Sequence, residues 1–417
     1  MTIKICPQRL KDNFLFATLS GFFLYALFYQ YAFSPIPGAL STFAILIFIS
    51  SFSKLKISFS FYNPLIGIFI FTLYLIAIGG FFAFDKQVTF YLLISHIEFM
   101  IPLFGIYIYS AGNYKKLQNL LLVIWIATTL IAFAAVNCGT TTTTGAITVG
   151  TTNTLNVNVL SSFLTMGVFS GLVLLSTDNC SRLKKTIVII GMGLQFVAQI
   201  NGASRRGIVV LLFILVAGFY TIVEVQYKRK PIVKVMFYFM VIFGIIIVVN
   251  AIVKKPDTLL LLERFRNTGY LGDALRRVYQ EKAMELFFDN PLFGQGMGAV
   301  GAYAGMYSHS LYYELLACTG ILGLLLFFGT VLGNNLVLYY KASKKATIDK
   351  QYELLARLMG IFIISILIGG IAVVYIYDMY FYIMLGLTFS ASKTLKDVQQ
   401  NEMYKRFANH HYIQQEA

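Results

Sequence analysis

The chain of 417 residues is 58% hydrophobic and only 12% charged, far more apolar than a water-soluble chain of this size needs to fill a core. Its formal net charge of +15 would raise nucleic acid as a partner in a soluble protein, but the basic residues form short clusters between long apolar runs. Orientation in a membrane and contact with lipid headgroups account for that pattern, and no nucleic acid is expected.

Apolar runs near or above about 18 residues recur along the whole chain, each long enough to cross the hydrocarbon as a helix. The runs are continuous, which disfavours a barrel of alternating strands. Spans are expected at 13–33, 36–53, 63–84, 90–111, 119–138, 155–175, 186–203, 206–225, 235–253, 311–340, 358–374 and 379–392, an all-α integral membrane protein of about twelve helices. The first run, from Asn13, reads as an anchor, because it lacks a small-residue cleavage site and another span follows at once. With the amino terminus inside, the clusters Lys4/Arg9/Lys11, Lys54/Lys56, Lys115/Lys116, Arg182/Lys184/Lys185, Lys228/Arg229/Lys230, Lys341/Lys344/Lys345 and Lys393/Lys396 all fall on the cytoplasmic side. Every second loop is basic, which puts both termini in the cytoplasm.

Polar residues within this frame are few. His96 and Glu98 share one span, and Asn156 and Asn158 begin another; each is either a helix–helix hydrogen bond or a functional group. The threonine run 138–154 reads as a flexible outer linker. The turn "QINGASRRGIVV" carries Arg205 and Arg206 on the outer side, against the charge bias, where they meet either lipid phosphate or an anionic substrate group. The segment from about Lys254 to Ser308 is the one outer stretch large enough for a site. In it "ALRRVYQEKAMELFFDNP" patterns as an amphipathic helix with Tyr279, Ala283, Leu286 and Phe287 on one face, stopped by Pro291. Arg264, Arg266, Arg276 and Arg277 are partly balanced there by Glu263, Asp273, Glu281, Glu285 and Asp289. The glycines of "NPLFGQGMGAVGAYAGMYSHS" permit tight turns and do not form a nucleotide loop, since no strand precedes them. His309 then opens an apolar helix, with Glu314 five residues on and on another side of it. Asp378 lies near the last outer turn. The four cysteines, Cys6, Cys138, Cys180 and Cys318, show no disulfide or metal-ligand spacing, and neither a metal nor another cofactor is expected.

Three of these stretches together resemble the superfamily of O-antigen ligases and O-antigen polymerases, integral membrane glycosyltransferases. "SRRG" at 204–207 is similar to the family's Ser-Arg-x-Gly turn, with Arg205 in the usual arginine place and Arg206 added. Arg276 through Ala283 to "NPLFGQGMG" is similar to its arginine, short helix and Pro-Leu-x-Gly-x-Gly sequence, with Gln280 where an aromatic residue is common. His309-Ser310, nine residues, then Gly320-x-x-Gly323 matches its histidine motif. The resemblance covers roughly 199–340. It implies a GT-C-like fold organised as spans one to nine (1–253), a periplasmic loop with an amphipathic helix (254–310), spans ten to twelve (311–392) and a cytoplasmic tail (393–417). It further implies a glycan donor on undecaprenyl diphosphate, a glycan acceptor, transfer at the outer face of the bacterial inner membrane, and a chain-length regulator as a partner.

The residues suit that chemistry. A diphosphate leaving group gathers negative charge as the glycosidic bond breaks, which Arg205 and Arg276 are expected to stabilise. A neutral imidazole near pH 7 suits removal of a proton from the acceptor hydroxyl, the role expected of His309. Arg206, Arg277, Ser310 and Glu314 are the expected substrate contacts; Arg206 can replace Arg205, and Arg277 can replace Arg276. A polymerase passes the chain to another lipid-linked repeat unit and a ligase passes it to lipid A core. The motifs are common to both, and the polymerase is preferred because polymerases are the more varied group. A lipid-linked oligosaccharide flippase is disfavoured, since its cations would line a midplane pathway. The topology is tested by cysteine labelling from outside: single cysteines near Thr142, Gly269 and Gly301 are expected to react, and those near Lys230 or Lys344 are not. Labelling of the reverse set inverts the protein and removes an outward-facing site.

Overall fold

The computed structural model describes residues 7–33, 35–52, 64–141, 147–149, 156–176, 181–202, 204–226, 271–344 and 349–416. Helix α1, Pro7–Leu24, runs on through a π turn at Tyr25–Tyr29 to Gln30–Ala32. Then come α2 (Ala39–Phe52), α3 (Pro64–Phe81), α4 (Lys86–Ser110), α5 (Tyr114–Cys138), α6 (Val157–Leu175), α7 (Arg182–Asn201) and α8 (Arg205–Gln226). After an undescribed stretch follow α9 (Leu271–Asp289), the short α10 (Ala299–Ala304) and α11 (Leu311–Leu326), which continues through a second π turn, Phe327–Gly333, into Asn334–Lys344. Finally come α12 (Lys350–Gly370), a 3-10 turn at Tyr375–Tyr377 and α13 (Met379–Glu416).

Eight helices among the described residues are long and apolar enough to cross a membrane, and Ala39–Ser51 and Leu65–Phe81 are shorter apolar helices. The protein is thus all-helical, membrane-embedded and multi-pass. Every expected span overlaps a helix except 235–253, which lies outside the described residues, as do 254–270 and the basic clusters at 54–56 and 228–230. Several helices begin before their apolar runs because a polar side chain caps them. Asp85 accepts from the Gln87 and Val88 amides to start α4, and Asn113 accepts from Lys116 N to start α5. Within the threonine run Thr140–Thr141 pairs antiparallel with Ile147–Thr148, and most of the remainder lies outside the described residues.

Helix α6 is the most enclosed span, with 83% of its apolar window buried. Its small residues Ser161, Ser162, Gly167 and Gly171 let α5, α7 and α8 approach closely. Some polar ties lie within the bundle, as between Gln195 and Thr128, and others mark its two ends. At one end Lys116 pairs with Asp12 (2.8 Å), and Arg357 with Glu224 (2.8 Å) and Glu353 (2.8 Å). At the other, Ser204 bonds Asn158, Thr89 bonds Met297 O, and Tyr377 bonds Gly298 N. This grouping agrees with the alternating directions expected for the spans.

The amphipathic helix forms as patterned. Ala283 and Leu286 of α9 join Ala299, Val300, Ala317 and Cys318 in a small cluster apart from the main core. What joins this cap to the bundle is a break in α11. Gly320 adopts φ 61°, ψ −172°, and the loop after α9 fills the gap: Gln295 N donates to Ala317 O (2.9 Å), Gly296 N to Cys318 O (3.0 Å), and Ile321 N to Pro291 O (2.9 Å). Away from water every freed backbone group needs such a partner. Gly294 has φ 73°, and a Cβ there would lie 2.4 Å from Thr319 N; one on Gly320 would lie 2.4 Å from Leu292 C and O. Gly294 and Gly320, one from each motif, are therefore interlocking backbone. Gly294→Ala or Gly320→Ala is expected to cost about 2 kcal/mol or more, from the left-handed backbone together with the overlap, measured as a fall in melting temperature of the detergent-solubilised protein. Gly301→Ala, in α10 with open space around it, is expected to stay within about 0.5 kcal/mol.

Candidate functional site

Four separated stretches of chain converge at the end of the bundle that holds the glycine loop. The first is the α7–α8 turn. Ser204 accepts from the Gly207 amide (3.3 Å) and donates to Asn158 Oδ1 (3.0 Å), which starts α8 and ties it to α6. Gly207 sits so close to α6 that a Cβ would be 1.7 Å from Ser161 Oγ, so the "SRRG" pattern is a cap, two arginines and a contact point. Arg206 projects toward α6 and the last turn: its Nη2 donates to Asn158 O (2.6 Å) and Ser162 Oγ (3.2 Å), and its guanidinium lies 5.9 Å from the centre of the Tyr375 ring. Its Nε is buried and finds no hydrogen-bond partner among the described residues. Arg205 is half-buried on the same turn.

The second stretch is α9, whose Arg276 and Tyr279 are half-buried while Arg277 is exposed. The Tyr279 ring lies 6.0 Å from that of His309, and the Arg276 charge reaches both His309 and Tyr307. Helix α9 thus roofs the histidine.

The third is the loop into α11. His309 has φ 59°, the left-handed region that costs a non-glycine residue about 1–3 kcal/mol, although histidine enters it more readily than most. Tyr307 stacks obliquely on its ring at 4.5 Å. The strained backbone is held from beneath by Glu314, which is fully buried: Oε2 accepts from the Ser308 amide (2.8 Å) and Oε1 from the Tyr377 hydroxyl (2.9 Å). Ser308 Oγ donates to Ser310 O (2.9 Å), closing the turn.

The fourth is the turn before α13. Tyr377 and Asp378 line, together with Tyr307, His309, Asn158 and Tyr380, a cavity of about 110 Å³. Burial pushes the Asp378 carboxyl up to about 6, opposed in part by the Arg206 charge. Burial also pushes His309 below its ordinary value, and the Arg276 charge adds to that; both favour the neutral imidazole.

The expected residues thus divide. The Arg206 and Arg276 charges both reach Tyr307 beside His309, while Arg277 is exposed and Arg205 half-buried. Glu314 and Ser310 are buried and belong to the fold of the loop, so substrate contact is the wrong role for Glu314: its carboxylate is committed to Ser308 and Tyr377. Tyr307 and Tyr377 join the site without having been singled out, as does Asp378, which had been noted as an ionisable group near the last outer turn without being connected to His309. Asn156 caps α6 and lines the cavity beside Asn158, whereas His96, outside the site, is a helix–helix tie bonded to Thr72 Oγ1 (2.9 Å) and the Tyr382 hydroxyl. Lys282 pairs with Glu285 (2.8 Å) on the exposed side of α9. Arg264 and Arg266 lie outside the described residues. No protein-family model matches the chain, and no curated protein matches it in sequence.

The environment of His309 sets a titration test. With the folded pKa lowered, the ring is expected to stay neutral as pH falls past the ordinary value of about 6.5 and to take a proton only below it. Arg276→Gln removes one opposing charge, so the titration moves upward, and NMR of the labelled imidazole measures both values. A His309 that titrates at or above 6.5 in the parent chain contradicts the described environment.

Proposed function

We propose that the protein is a polysaccharide polymerase, a metal-independent glycosyltransferase that moves an undecaprenyl-diphosphate-linked glycan onto the sugar hydroxyl of another lipid-linked repeat unit. The observation that carries the reading is that His309 lines a cavity beside Tyr307, which the charges of both Arg206 and Arg276 reach, on stretches that also resemble the motifs of one enzyme superfamily. The acceptor hydroxyl attacks the anomeric carbon, and its proton passes to the imidazole of His309. The bond from that carbon to the diphosphate oxygen breaks, the oxygen keeps the electron pair, and the two guanidinium groups stabilise the charge that develops. Tyr307 and Tyr279 flank the histidine and give apolar ring faces for a sugar. Asp378 is a second group on the cavity wall able to take a proton near neutrality.

In this reading the chain lies in the bacterial cytoplasmic membrane with both termini inside and the cavity facing out. The arginines, His309 and Asp378 lie at one end of the bundle, which favours an enzyme over a flippase with cations spread along a central path.

The test is transfer by the purified protein. Given undecaprenyl-diphosphate repeat units alone, it is expected to make a ladder of longer chains. A ligase makes none without its lipid A core acceptor, and its loss in cells strands long chains on the carrier, which would overturn the polymerase reading. His309→Ala is expected to lose roughly 10²-fold or more in rate. Arg206→Ala and Arg276→Ala are expected to abolish transfer, with their lysine versions largely impaired because an ammonium lacks the planar fork. Lys282→Ala is expected to be silent. Full activity of His309→Ala with loss in Asp378→Asn would transfer the base role to Asp378.

A further inference from the structure

The cavity beside His309 carries a second set of groups that the transfer chemistry leaves unused. Asn156 and Asn158, at the start of α6, both line it, and their side-chain oxygens are already engaged. Asn156 Oδ1 accepts from the Asn158 amide (2.9 Å), and Asn158 Oδ1 accepts from the Ser204 hydroxyl (3.0 Å). A backbone N–H can be met only by an oxygen, which fixes the Asn156 side chain with its NH2 end free. Neither Nδ2 makes a hydrogen bond to any described residue, and Asn156 is exposed while Asn158 is half-buried, so both NH2 groups are open to a ligand. The wall that follows α12 is different in kind: Ala372, Val373 and Val374 form an apolar step, and Asp378 beyond it adds a carboxyl.

A group that matches this wall needs an acceptor for the two NH2 groups, a donor for the carboxylate and a small apolar end for the step. An acetamido group has all three on adjacent atoms: a carbonyl oxygen, an N–H and a methyl. A plain hydroxyl leaves the apolar step against a polar atom, and a sugar carboxylate would meet the Asp378 carboxyl as a like charge. We propose that the cavity holds an N-acetylated sugar, its acetamido carbonyl bonded to Asn156 and Asn158, its N–H to Asp378, and its methyl seated on Ala372 and Val373. His309 lines the same cavity, so this sugar is the acceptor residue whose hydroxyl loses its proton. The assignment rests on the reading of this cavity as a glycan site and narrows that reading to a sugar class.

Saturation-transfer NMR on the full chain in lipid nanodiscs tests binding without any transfer step. Methyl N-acetylglucosaminide and methyl N-acetylgalactosaminide are compared with methyl glucoside, methyl galactoside and methyl glucuronide. At least one acetamido glycoside is expected to bind roughly tenfold or more tightly than its hydroxyl parent, the scale of a hydrogen bond and a seated methyl, with the strongest signal at the acetamido methyl. Asn156→Asp keeps the oxygen that caps α6 and removes the NH2, so it is expected to lose about tenfold in that affinity. Ala372→Leu fills the step and is expected to lose at least as much, while the plain glycosides bind both variants as they bind the parent. Equal or tighter binding of a plain glycoside or the glucuronide, or binding of none, would overturn the proposal, as would an acetamido preference unchanged in both variants. The comparison on the parent chain decides even where a variant fails to fold. A ladder made from lipid-linked repeat units by a chain with no acetamido preference removes this subsite and leaves the polymerase standing; acetamido binding without a ladder does the reverse.

Discussion

A helix cannot be broken inside apolar surroundings unless the backbone groups set free find partners, and the break at Gly320 is where this molecule meets that rule. The loop Pro291–Gly298 supplies the missing amides and carbonyls, and by doing so it fixes the distance between α9 and α11. Everything beyond follows from that distance. Arg276 and Tyr279 hang over the start of α11 because α9 is tied down at its far end, and Gly298 donates to the Tyr377 hydroxyl because the same loop ends beneath the last turn. A glycine-rich run that resembles a ligand cradle is in fact a fastener.

The site above that fastener is built from opposed tendencies. Two guanidinium charges from different helices reach Tyr307 on the wall of one small cavity, a placement that would repel a third positive charge. His309, desolvated and facing Arg276, answers by staying neutral, while Asp378, desolvated near Arg206, keeps its proton nearer to neutral pH than an ordinary carboxyl does. The strained backbone of His309 persists because Glu314 grips the preceding amide. An anion entering this cavity meets a field already arranged for it, which is the condition under which electrostatic stabilisation is strong.

Much of the bundle could be read from the chain because a span announces itself through length and apolarity alone. Boundaries were less legible: the start of α4 is set by Asp85 and that of α5 by Asn113, single polar caps that a run of apolar residues does not reveal. Within the site, the arginine turn, the α9 face and His309 were visible as polar interruptions with fixed spacing. Helical geometry rightly turned Glu314 away from the imidazole, yet it gave no sign that the chain before His309 folds back to bring Ser308 onto that carboxylate. That Arg206 reaches Asn158 and Ser162 of another helix was equally closed to the sequence, since it depends on how two helices pack. Asp378 was seen but not connected, because the turn that carries it meets the rest only in three dimensions.

The π turn in the continuation of α11 has its own effect on how the bundle closes. Phe327–Gly333 carries one residue more than an α-helical winding of the same rise would, so the side chains after it are rotated by about 100° from the direction the first half of the helix dictates. That rotation is what turns Asn335 and Tyr339 toward α13, where Ser392 bonds both of them. The two halves of α11 thus serve different clients, the upper half the cavity and the lower half the last helix, and one surplus residue is the whole of the gearing between them.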